Sequence, residues 1–302
     1  MSDTIAEGGH SVASVNPYAS GDEAWRNAEA NRLRDMDAFL EPFTRQDLEP
    51  AIAMQRGERP DRAVDLLDIG AAVSPTVEAV AAEADVTYYA LDVDAGLLEQ
   101  RDTPAERTIV SPSQEMAVDS GRFDITYSRA ATAWSPDPPA SISEQLRVTR
   151  DGGVAVFSEF DWSAAGADAH TEAGRALNGI KSVLEMAITL RGFRTEYGHA
   201  QLAQDIDEAA DRDRLAYNRE ETVHELPPGD YREFMLNMAG QLVEAVADEE
   251  DRFIRMLSHD LQMHMKVIEQ AQEVEFSLPR IVTQRVEVMG RTPDPFADEA
   301  AA

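Results

Sequence analysis

Two acidic residues beside apolar runs carry the first chemical signal in this chain. Asp68 stands two residues before Gly70 at the end of the run over 63–69, and Asp92 closes the next apolar run 24 residues later. A glycine directly after a strand lets the backbone approach a ligand, and an acid after the second strand accepts hydrogen bonds from ribose hydroxyls. The pattern predicts a nucleotide-like cofactor site. Because a strand, a glycine and a helix also follow one another in folds that bind no nucleotide, the pattern alone leaves both interpretations open.

The other reactive side chains form no second pattern. The six histidines are scattered, and His259 and His264 are five residues apart, off one helical face and outside an HExxH motif. The absence of cysteine excludes disulfides, thiolate nucleophiles and cysteine-ligated zinc. Neither a Ser-His-Asp arrangement nor metal-ligand spacing emerges, so we predict no metal site.

The elements that must position the two acids are short strands alternating with helices. We expect strands at 63–69, 86–91, 108–110, 123–128 and 154–157, helices at 77–84 and 142–149, and a turn at 151–153. Helical patterns also cover 22–54, 171–190, 198–210 and 230–271, and two further strand-like runs cover 215–226 and 280–289. This alternation predicts right-handed crossovers and a largely parallel sheet with helices on both faces.

Acidic residues dominate the charge. The 302 residues include 57 Asp and Glu against 27 Lys and Arg, a formal net charge of -30, and only Lys181 and Lys266 are lysine. Such a surface repels phosphate backbones, which excludes a general nucleic-acid-binding protein. Two explanations stay open: an acidic face for a cationic partner, or adaptation to a cytoplasm with molar salt, where charges are screened within about 3 Å. The even spread of acids favours the second explanation and an extreme halophile as the source.

Composition also bears on location. The longest apolar runs, such as 79–82, are far shorter than the roughly 20 residues that span a bilayer. Residues 1–9 contain neither the basic region nor the apolar region of a signal peptide. We therefore expect a cytoplasmic protein.

Five motifs occur in order along the middle of the chain. They are Asp68-Ile69-Gly70, Leu91-Asp92-Val93-Asp94, Phe123-Asp124-Ile125, Trp134-Ser135-Pro136-Asp137-Pro138 and Arg147-Val148-Thr149-Arg150-Asp151-Gly152-Gly153. Their succession resembles the class I S-adenosylmethionine-dependent methyltransferases, particularly the ubiquinone/menaquinone-biosynthesis-like methyltransferases. Segments at 18–21, 32–33, 39–44, 159–162 and 288–293 are similar to the same family, so the likeness covers nearly the whole chain. It implies an α/β fold, a Rossmann-like seven-stranded, mostly parallel sheet with helices on both faces and a helical lid.

The resemblance implies a site for S-adenosyl-L-methionine. The residues that match cofactor-binding positions are Tyr18, Asp68, Gly70, Ala72, Asp92, Val93, Ser113, Gln114, Ser128 and Arg129. Asp68 and Gly70 would line the methionine end, Asp92 would take the ribose hydroxyls, and Tyr18 would close over the cofactor. Val93, Ser113 and Gln114 would lie at the adenine, and Ser128 and Arg129 at the transfer site.

The implied acceptor is a small molecule, with neither nucleic acid nor membrane as a partner. Methyl transfer from a sulfonium requires mainly alignment of the reacting atoms, and a base only if the acceptor must lose a proton. The residues considered for the acceptor pocket are Trp134, Glu159, Asp161, Trp162 and His199. Because a helix cap, a structural ion pair or simple packing explains each of them equally well, no catalytic residue is assigned.

The glycine loop departs from the family pattern. Where the family has Asp-x-Gly-x-Gly-x-Gly, Ala72 and Ser74 replace two glycines, and Pro112 stands near the position of an acid that often contacts the adenine amine. A Cβ where φ is positive costs on the order of 1 kcal/mol. The main alternative is therefore a catalytically silent methyltransferase-fold protein that acts as a ligand sensor or complex subunit. A Rossmann-type oxidoreductase is disfavoured, since Gly70 is the only glycine in the loop.

The expected organisation follows from these assignments. Residues 1–16 form a flexible tail, and helices over 17–56 cover the cofactor site. The methyltransferase domain spans 57–293, with helical lid insertions at about 171–210 and 230–272, and residues 294–302 form an acidic tail.

Overall fold

The computed structural model describes most of the chain between residues 23 and 291. The described residues are 23–161, 166–190, 199–226, 252–271, 276–277 and 280–291, together with 236, 239, 240 and 243.

Seven strands form the central sheet. They are β1 (Asp65–Ile69), β2 (Thr87–Asp92), β3 (Thr108–Val110), β4 (Phe123–Arg129), β5 (Thr149–Asp161), β7 (Leu215–Glu225) and β9 (Arg280–Arg291), while β6 (Gly166–Ala167) and β8 (Phe276–Ser277) pair separately. The order is β3-β2-β1-β4-β5-β9-β7, in which β1 to β5 are parallel and β9 is antiparallel to both of its neighbours. The seven-stranded, mostly parallel α/β sheet predicted from the sequence is confirmed, including its last two strands.

Helices cover both faces of the sheet. They are α1 (Glu23–Glu58), α2 (Thr76–Glu83), α3 (Ala95–Leu98), α4 (Pro138–Val148), α5 (Glu172–Leu190), α6 (His199–Arg212) and α7 (Arg252–Gln270). Among the described helices, none combines the length and the apolar character needed to cross a lipid bilayer.

Burial on both faces explains why the central strands form. Four consecutive residues of β1 and six of β4 are buried, a continuous burial that is typical of parallel strands between two helical layers. On one face, Leu66 and Val156 pack with Leu48 of α1 and Val80 of α2. This core fixes the carboxyl ends of β1, β2 and β4 side by side, where the predicted acids lie.

The second layer differs from the predicted lid. Leu202 and Ile206 of α6 pack with Ile142 of α4, Phe157 of β5 and Val286 of β9, so α6 covers the sheet rather than its edge. Of the segment at about 171–210, for which the sequence predicted a lid, α6 thus packs on a face of the sheet. The apolar stripe of α6 matches a flat sheet face as well as it matches a lid, which is why the sequence pattern did not separate the two.

The helices α5 and α7 pack against each other beside the end of β5. Ile180 of α5 and Leu261 of α7 share a cluster with Phe160 of β5, Ile281 of β9 and Leu40 of α1. Phe160 lies at the carboxyl end of β5, so this helix pair covers one side of the edge at which β1, β2 and β4 end.

Within the described part of the segment 17–56, for which the sequence predicted helices, one helix runs from residue 23 onward. The helix α1 runs through Pro42 and Pro50, both of which are exposed. Each proline removes one backbone hydrogen bond, and the freed carbonyl group on the solvent side can bond to water. The buried stripe through Leu40 and Leu48 continues across both prolines and keeps the helix intact.

The predicted turn at 151–153 lies inside β5. Phe123 pairs with Thr149 and Ile125 pairs with Val154, so four residues of β5 lie opposite one residue of β4. Gly152 has a φ of +75°, a conformation that glycine adopts without strain. The glycine pair therefore marks a bulge within a strand rather than the end of one.

Candidate functional site

The loop after β1 is tied to the end of β2. The backbone N–H groups of Gly70 and Ala71 both donate to the carbonyl oxygen of Leu91, at 2.8 and 3.0 Å. Gly70 has a φ of +74°, and a Cβ there would lie 2.6 Å from the Cβ of Ala131. Only glycine fits this position, because of the positive φ and the packing of Ala131.

Ala72 adopts the strained conformation expected where the family has glycine. Its φ is +42°, and its methyl group is buried against Ala30 and Leu33 of α1 and Leu97 of α3. A non-glycine residue in this region costs on the order of 1 kcal/mol, which the packing of the methyl group offsets in part. The loop is thus adapted to contact with α1.

Asp92 links the loop to the end of β2. One carboxylate oxygen accepts the N–H of Ala72 at 3.0 Å and the other accepts the N–H of Asp94 at 2.9 Å. Burial raises the pKa of Asp92, against the lowering effect of these N–H groups. Each oxygen has a second lone pair for a ligand hydroxyl, and the adjacent Val93 exposes 43% of its surface. A hydrogen-bond acceptor beside an exposed apolar side chain suits a ribose and an adenine ring.

Asp68 lies beneath the loop in a buried network. The Tyr88 hydroxyl donates to Asp68 Oδ2 at 2.8 Å, and Arg101 Nη2 donates to the Tyr88 oxygen at 2.7 Å. Burial raises the pKa of Asp68 to about 6, and the Arg101 charge limits that rise. The carboxyl group predicted to line the methionine end therefore also anchors the base of the loop.

Arg101 is a loop residue that the sequence analysis did not identify. Its Nη1 donates to the carbonyl oxygens of Ala71 at 3.0 Å, Ala72 at 3.4 Å and Ser74 at 2.7 Å. Its Nη2 pairs with Glu78 at 3.1 Å, and the side chain is only 3% exposed. One guanidinium thus fixes the backbone of a loop that has lost two of its glycines.

We predict that Arg101→Gln loosens this loop. The substitution leaves three carbonyl groups and Glu78 without their charged donor, so the free energy of unfolding should fall by about 1–3 kcal/mol. Amide hydrogen exchange over 71–74 should accelerate, as measured by mass spectrometry. The exposed Arg107 provides a matched control, because Arg107→Gln removes the same charge without touching the loop. Equal exchange rates in the two variants would contradict the role of Arg101.

Asp37 and Arg129 form a buried ion pair between α1 and β4. Arg129 donates to Asp37 Oδ1 and to Thr44 Oγ1, and both charged side chains are buried. Asp37 Oδ2 also accepts the N–H and the hydroxyl of Thr76, at 3.1 and 2.6 Å, at the start of α2. Arg129 therefore connects the end of β4 to the helix that covers the loop, while the neighbouring Ser128 is buried near Thr132.

The two residues assigned to the adenine lie in the loop after β3. Ser113 Oγ is 2.8 Å from Ser141 Oγ, and Gln114 Oε1 accepts from Ser135 Oγ at 3.5 Å. Ser135 and Ser141 are themselves 2.7 Å apart. These contacts hold the β3 loop against the start of α4, on the same edge as Asp92.

Glu159 caps the short 3₁₀ helix Thr132–Trp134. Its Oε1 accepts the N–H groups of Ala131 and Thr132, at 3.1 and 2.7 Å. Burial raises its pKa to about 7 from an ordinary value of 4.5, although the N–H bonds lower it. The contacts support the structural explanation for Glu159, a cap that orders the loop after β4.

We predict that Glu159→Gln makes stability less dependent on pH. Since the pKa of Glu159 is higher in the folded state, the folded protein holds a proton that the unfolded chain releases between about pH 4.5 and 7. Stability is therefore lost as pH rises through this window, by on the order of 3 kcal/mol. Glutamine retains the accepting oxygen and does not titrate, so urea unfolding from pH 5 to 8 should show a flatter curve for the variant. Parallel curves for the two proteins would contradict this account.

The structure describes only some of the other residues considered for the acceptor pocket. Trp134 is half-buried in the 3₁₀ helix, and Asp161 is buried at the end of β5. His199 begins α6, and its side chain lies outside the described residues, as do Tyr18 and Trp162. Within the described ranges, no group of three or more His, Asp or Glu side chains is placed to hold a metal ion.

Part of the chain is similar to known methyltransferases. Residues 67–157, which contain Asp68, Gly70 and Asp92, match the family model described as a methyltransferase domain. A malonyl-[acyl-carrier protein] O-methyltransferase of Serratia marcescens is 32% identical over 71 residues, which are 23% of this chain and 28% of that protein. The chain thus spans little more than a quarter of the length of the curated relatives it matches.

Two further proteins have solved structures that are similar to this one. A candidate sarcosine dimethylglycine methyltransferase of Galdieria sulphuraria is 13% identical, covering 83% of this chain and 85% of that one, with a TM-score of 0.49. A phosphoethanolamine N-methyltransferase of Haemonchus contortus, solved with phosphomonomethylethanolamine and S-adenosylhomocysteine, is 13% identical, covering 80% and 52%, with a TM-score of 0.44. With the matched domain at 67–157, the strand order observed here identifies a Rossmann-like methyltransferase fold.

Proposed function

We propose that this chain transfers a methyl group from S-adenosyl-L-methionine to a small-molecule acceptor. The observation that carries the proposal is the position of Asp92 at the end of β2. Its carboxylate is held by two backbone N–H groups, retains acceptor capacity and lies beside the exposed Val93, within the matched methyltransferase domain. Ligands of open α/β sheets bind at this edge, where the strand order reverses between β1 and β4.

The residues at the edge fit the cofactor by chemical type. Asp92 would accept the ribose hydroxyls, and Val93 would pack on the adenine ring near Ser113 and Gln114. Gly70 forms the tight turn that places this loop at the end of β1, where a Cβ would clash with Ala131. When bound, the cofactor supplies a methyl group that its positively charged sulfur has already activated.

The chain itself contributes alignment and the exclusion of water. The start of α1 contacts the loop through Ala30 and Leu33, and α5 and α7 pack together beside the end of β5. Holding the reacting atoms in line supplies most of the rate enhancement in such a transfer. Glu159 is used in capping, so we assign no general base, and the acceptor is one that needs none or loses its proton to water.

We further propose that this chain is similar to the ubiquinone/menaquinone-biosynthesis-like methyltransferases in the acceptor that it uses, and that it works in a cytoplasm of high salt. A small-molecule acceptor is supported by the net charge of -30, which disfavours nucleic acid as a substrate. The same charge supports a cytoplasm of high salt, because low ionic strength would leave the self-repulsion of the folded chain unscreened. Tyr18 would close over the cofactor, and Trp162 and His199 would line the acceptor pocket.

The alternative is a ligand sensor without catalytic activity. Such a protein would bind the cofactor but would not transfer its methyl group. Purified protein should be incubated with methyl-labelled S-adenosylmethionine and a small-molecule extract of the source cells, in molar KCl. We expect label to enter the extract with the wild type and not with Asp92→Asn. Cofactor binding without any transfer of label would favour the sensor. The strained backbone of Ala72 is the structural feature that supports this alternative.

A further inference from the structure

A second cleft lies on the opposite edge of the sheet from the candidate cofactor site. It has a volume of about 900 Å³. Arg59 and Arg62 in its wall precede β1, Gly121 precedes β4, Arg150 lies near the start of β5, and Arg291 ends the antiparallel β9. All of these positions are at the amino ends of the parallel strands, whereas Asp68 and Asp92 are at the carboxyl ends.

The cleft concentrates positive charge in an acidic protein. Five arginines line it, Arg59, Arg62, Arg147, Arg150 and Arg291, against the three acids Glu144, Asp151 and Asp213. The whole chain has 27 basic residues against 57 acidic ones. Unlike the chain as a whole, the wall of this cleft carries an excess of positive charge.

Two of the arginines build the wall. Arg147 donates to Glu144 and to the carbonyl oxygens of Met116 and Val118. Arg291 donates to Asp151 and to three carbonyl oxygens before and within β5. The donors of these two side chains already bond to the protein and hold its loops together. Arg147 and Arg291 therefore shape the cleft, and we do not assign them to ligand binding.

The other three arginines retain donors. Arg62 is exposed, and its side chain makes no hydrogen bond or ion pair with the described part of the chain. Arg59 uses one nitrogen for Asp124 and one for the carbonyl group of Asp151. Arg150 is only 8% exposed; its Nε is ion-paired with Asp124 Oδ1 at 3.0 Å, and its Nη2 donates to the carbonyl oxygen of Arg122 at 2.8 Å.

The three guanidinium groups also act on one another. Burial lowers the pKa of Arg150, Asp124 opposes this effect, and the charges of Arg62 and Arg59 lower the pKa further. Asp124, which pairs with both Arg59 and Arg150, and Asp65 offset part of this repulsion, and a further anion in the cleft would relieve more of it.

We propose that this cleft is a second binding site, for a small anion that carries one or more phosphate groups. Arg59, Arg62 and Arg150 hold the phosphate oxygens, because the planar guanidinium matches them with two parallel hydrogen bonds. Ser120 lines the same cleft, and its hydroxyl accepts from Arg147 and keeps its own proton to donate. The acidic remainder of the protein repels a polymer of phosphates, which restricts the ligand to a free small molecule.

Calorimetric titration of the full chain with inorganic pyrophosphate tests the proposal. We expect saturable binding that Arg62→Gln weakens by about tenfold or more, since one charge-assisted contact is lost. Arg62 is exposed and unbonded, so the variant should fold, as a melting curve will verify. Arg107→Gln, a change of the same charge outside the cleft, should bind as the wild type does.

Four results would overturn the proposal. The first is the absence of saturable binding to protein that the melting curve shows to be folded. The second is an equal loss of affinity in Arg62→Gln and Arg107→Gln, which would show a general charge effect. The third is equally tight binding of citrate, which would remove the preference for phosphate. The fourth is displacement of pyrophosphate by S-adenosylhomocysteine, which would place the ligand at the carboxyl edge instead.

Discussion

Asn in place of Asp92 is expected to weaken binding of S-adenosylhomocysteine by about a hundredfold or more while the protein stays folded. The loss combines two hydrogen bonds from ribose hydroxyls to a charged acceptor, each contributing about 1.5 kcal/mol or more, and about 2.8 kcal/mol corresponds to a hundredfold. The amide also places its NH₂ group against the backbone N–H of Ala72 or Asp94, so stability should fall by about 1 kcal/mol.

The measurement is calorimetric titration of the variant beside Glu99→Gln. Glu99 is exposed and lies on the same segment, so its replacement removes one negative charge without touching the loop. We expect Glu99→Gln to bind as the wild type does. Equal affinity of all three proteins would remove Asp92 from the cofactor site and with it the main support for the proposed function.

The second large effect is expected at the buried pair of Asp37 and Arg129. Removing either partner leaves an uncompensated charge in the interior, so Asp37→Asn and Arg129→Met should each lower the free energy of unfolding by about 3–5 kcal/mol. The double variant should recover a large part of this loss, because no unpaired charge remains. Urea unfolding of the four proteins forms a double-mutant cycle that measures the coupling.

This cycle also tests how α1 is attached to the domain. Asp37 contacts both β4 and the start of α2, and Asp47 farther along α1 accepts from His224 of β7 and Thr283 of β9, each at 2.8 Å. The helix is thus anchored by polar contacts at several points along its length. Losses that simply add in the double variant would show that Asp37 and Arg129 act independently of each other.

The central fold was predictable because its signals are local. The runs that became β1, β2 and β4 are largely buried on both faces, and such strands appear in a sequence as short runs rich in apolar residues. The acid at the end of β2 and the glycine after β1 follow directly from the strand ends. For the same reason Gly70 was recognised, since one tight turn determines its requirement for glycine.

Contacts between distant segments were not predictable. Arg101 bonds to a loop about 30 residues earlier in the chain, and Arg129 bonds to Asp37 across 92 residues. Neither the periodicity nor the residue spacing of a single sequence predicts which arginine will bond to which carbonyl group. A partial signal did exist for α1, because Asp37, Thr44 and Asp47 are polar residues at buried positions of its apolar stripe.

The most direct test of the proposed function is calorimetric titration with S-adenosylmethionine and S-adenosylhomocysteine, in molar KCl. The geometry of Asp92 and the Gly70 loop predicts saturable binding of both at one site per chain, with micromolar dissociation constants. Absence of heat from either compound, in protein that a melting transition shows to be folded, would contradict the cofactor assignment.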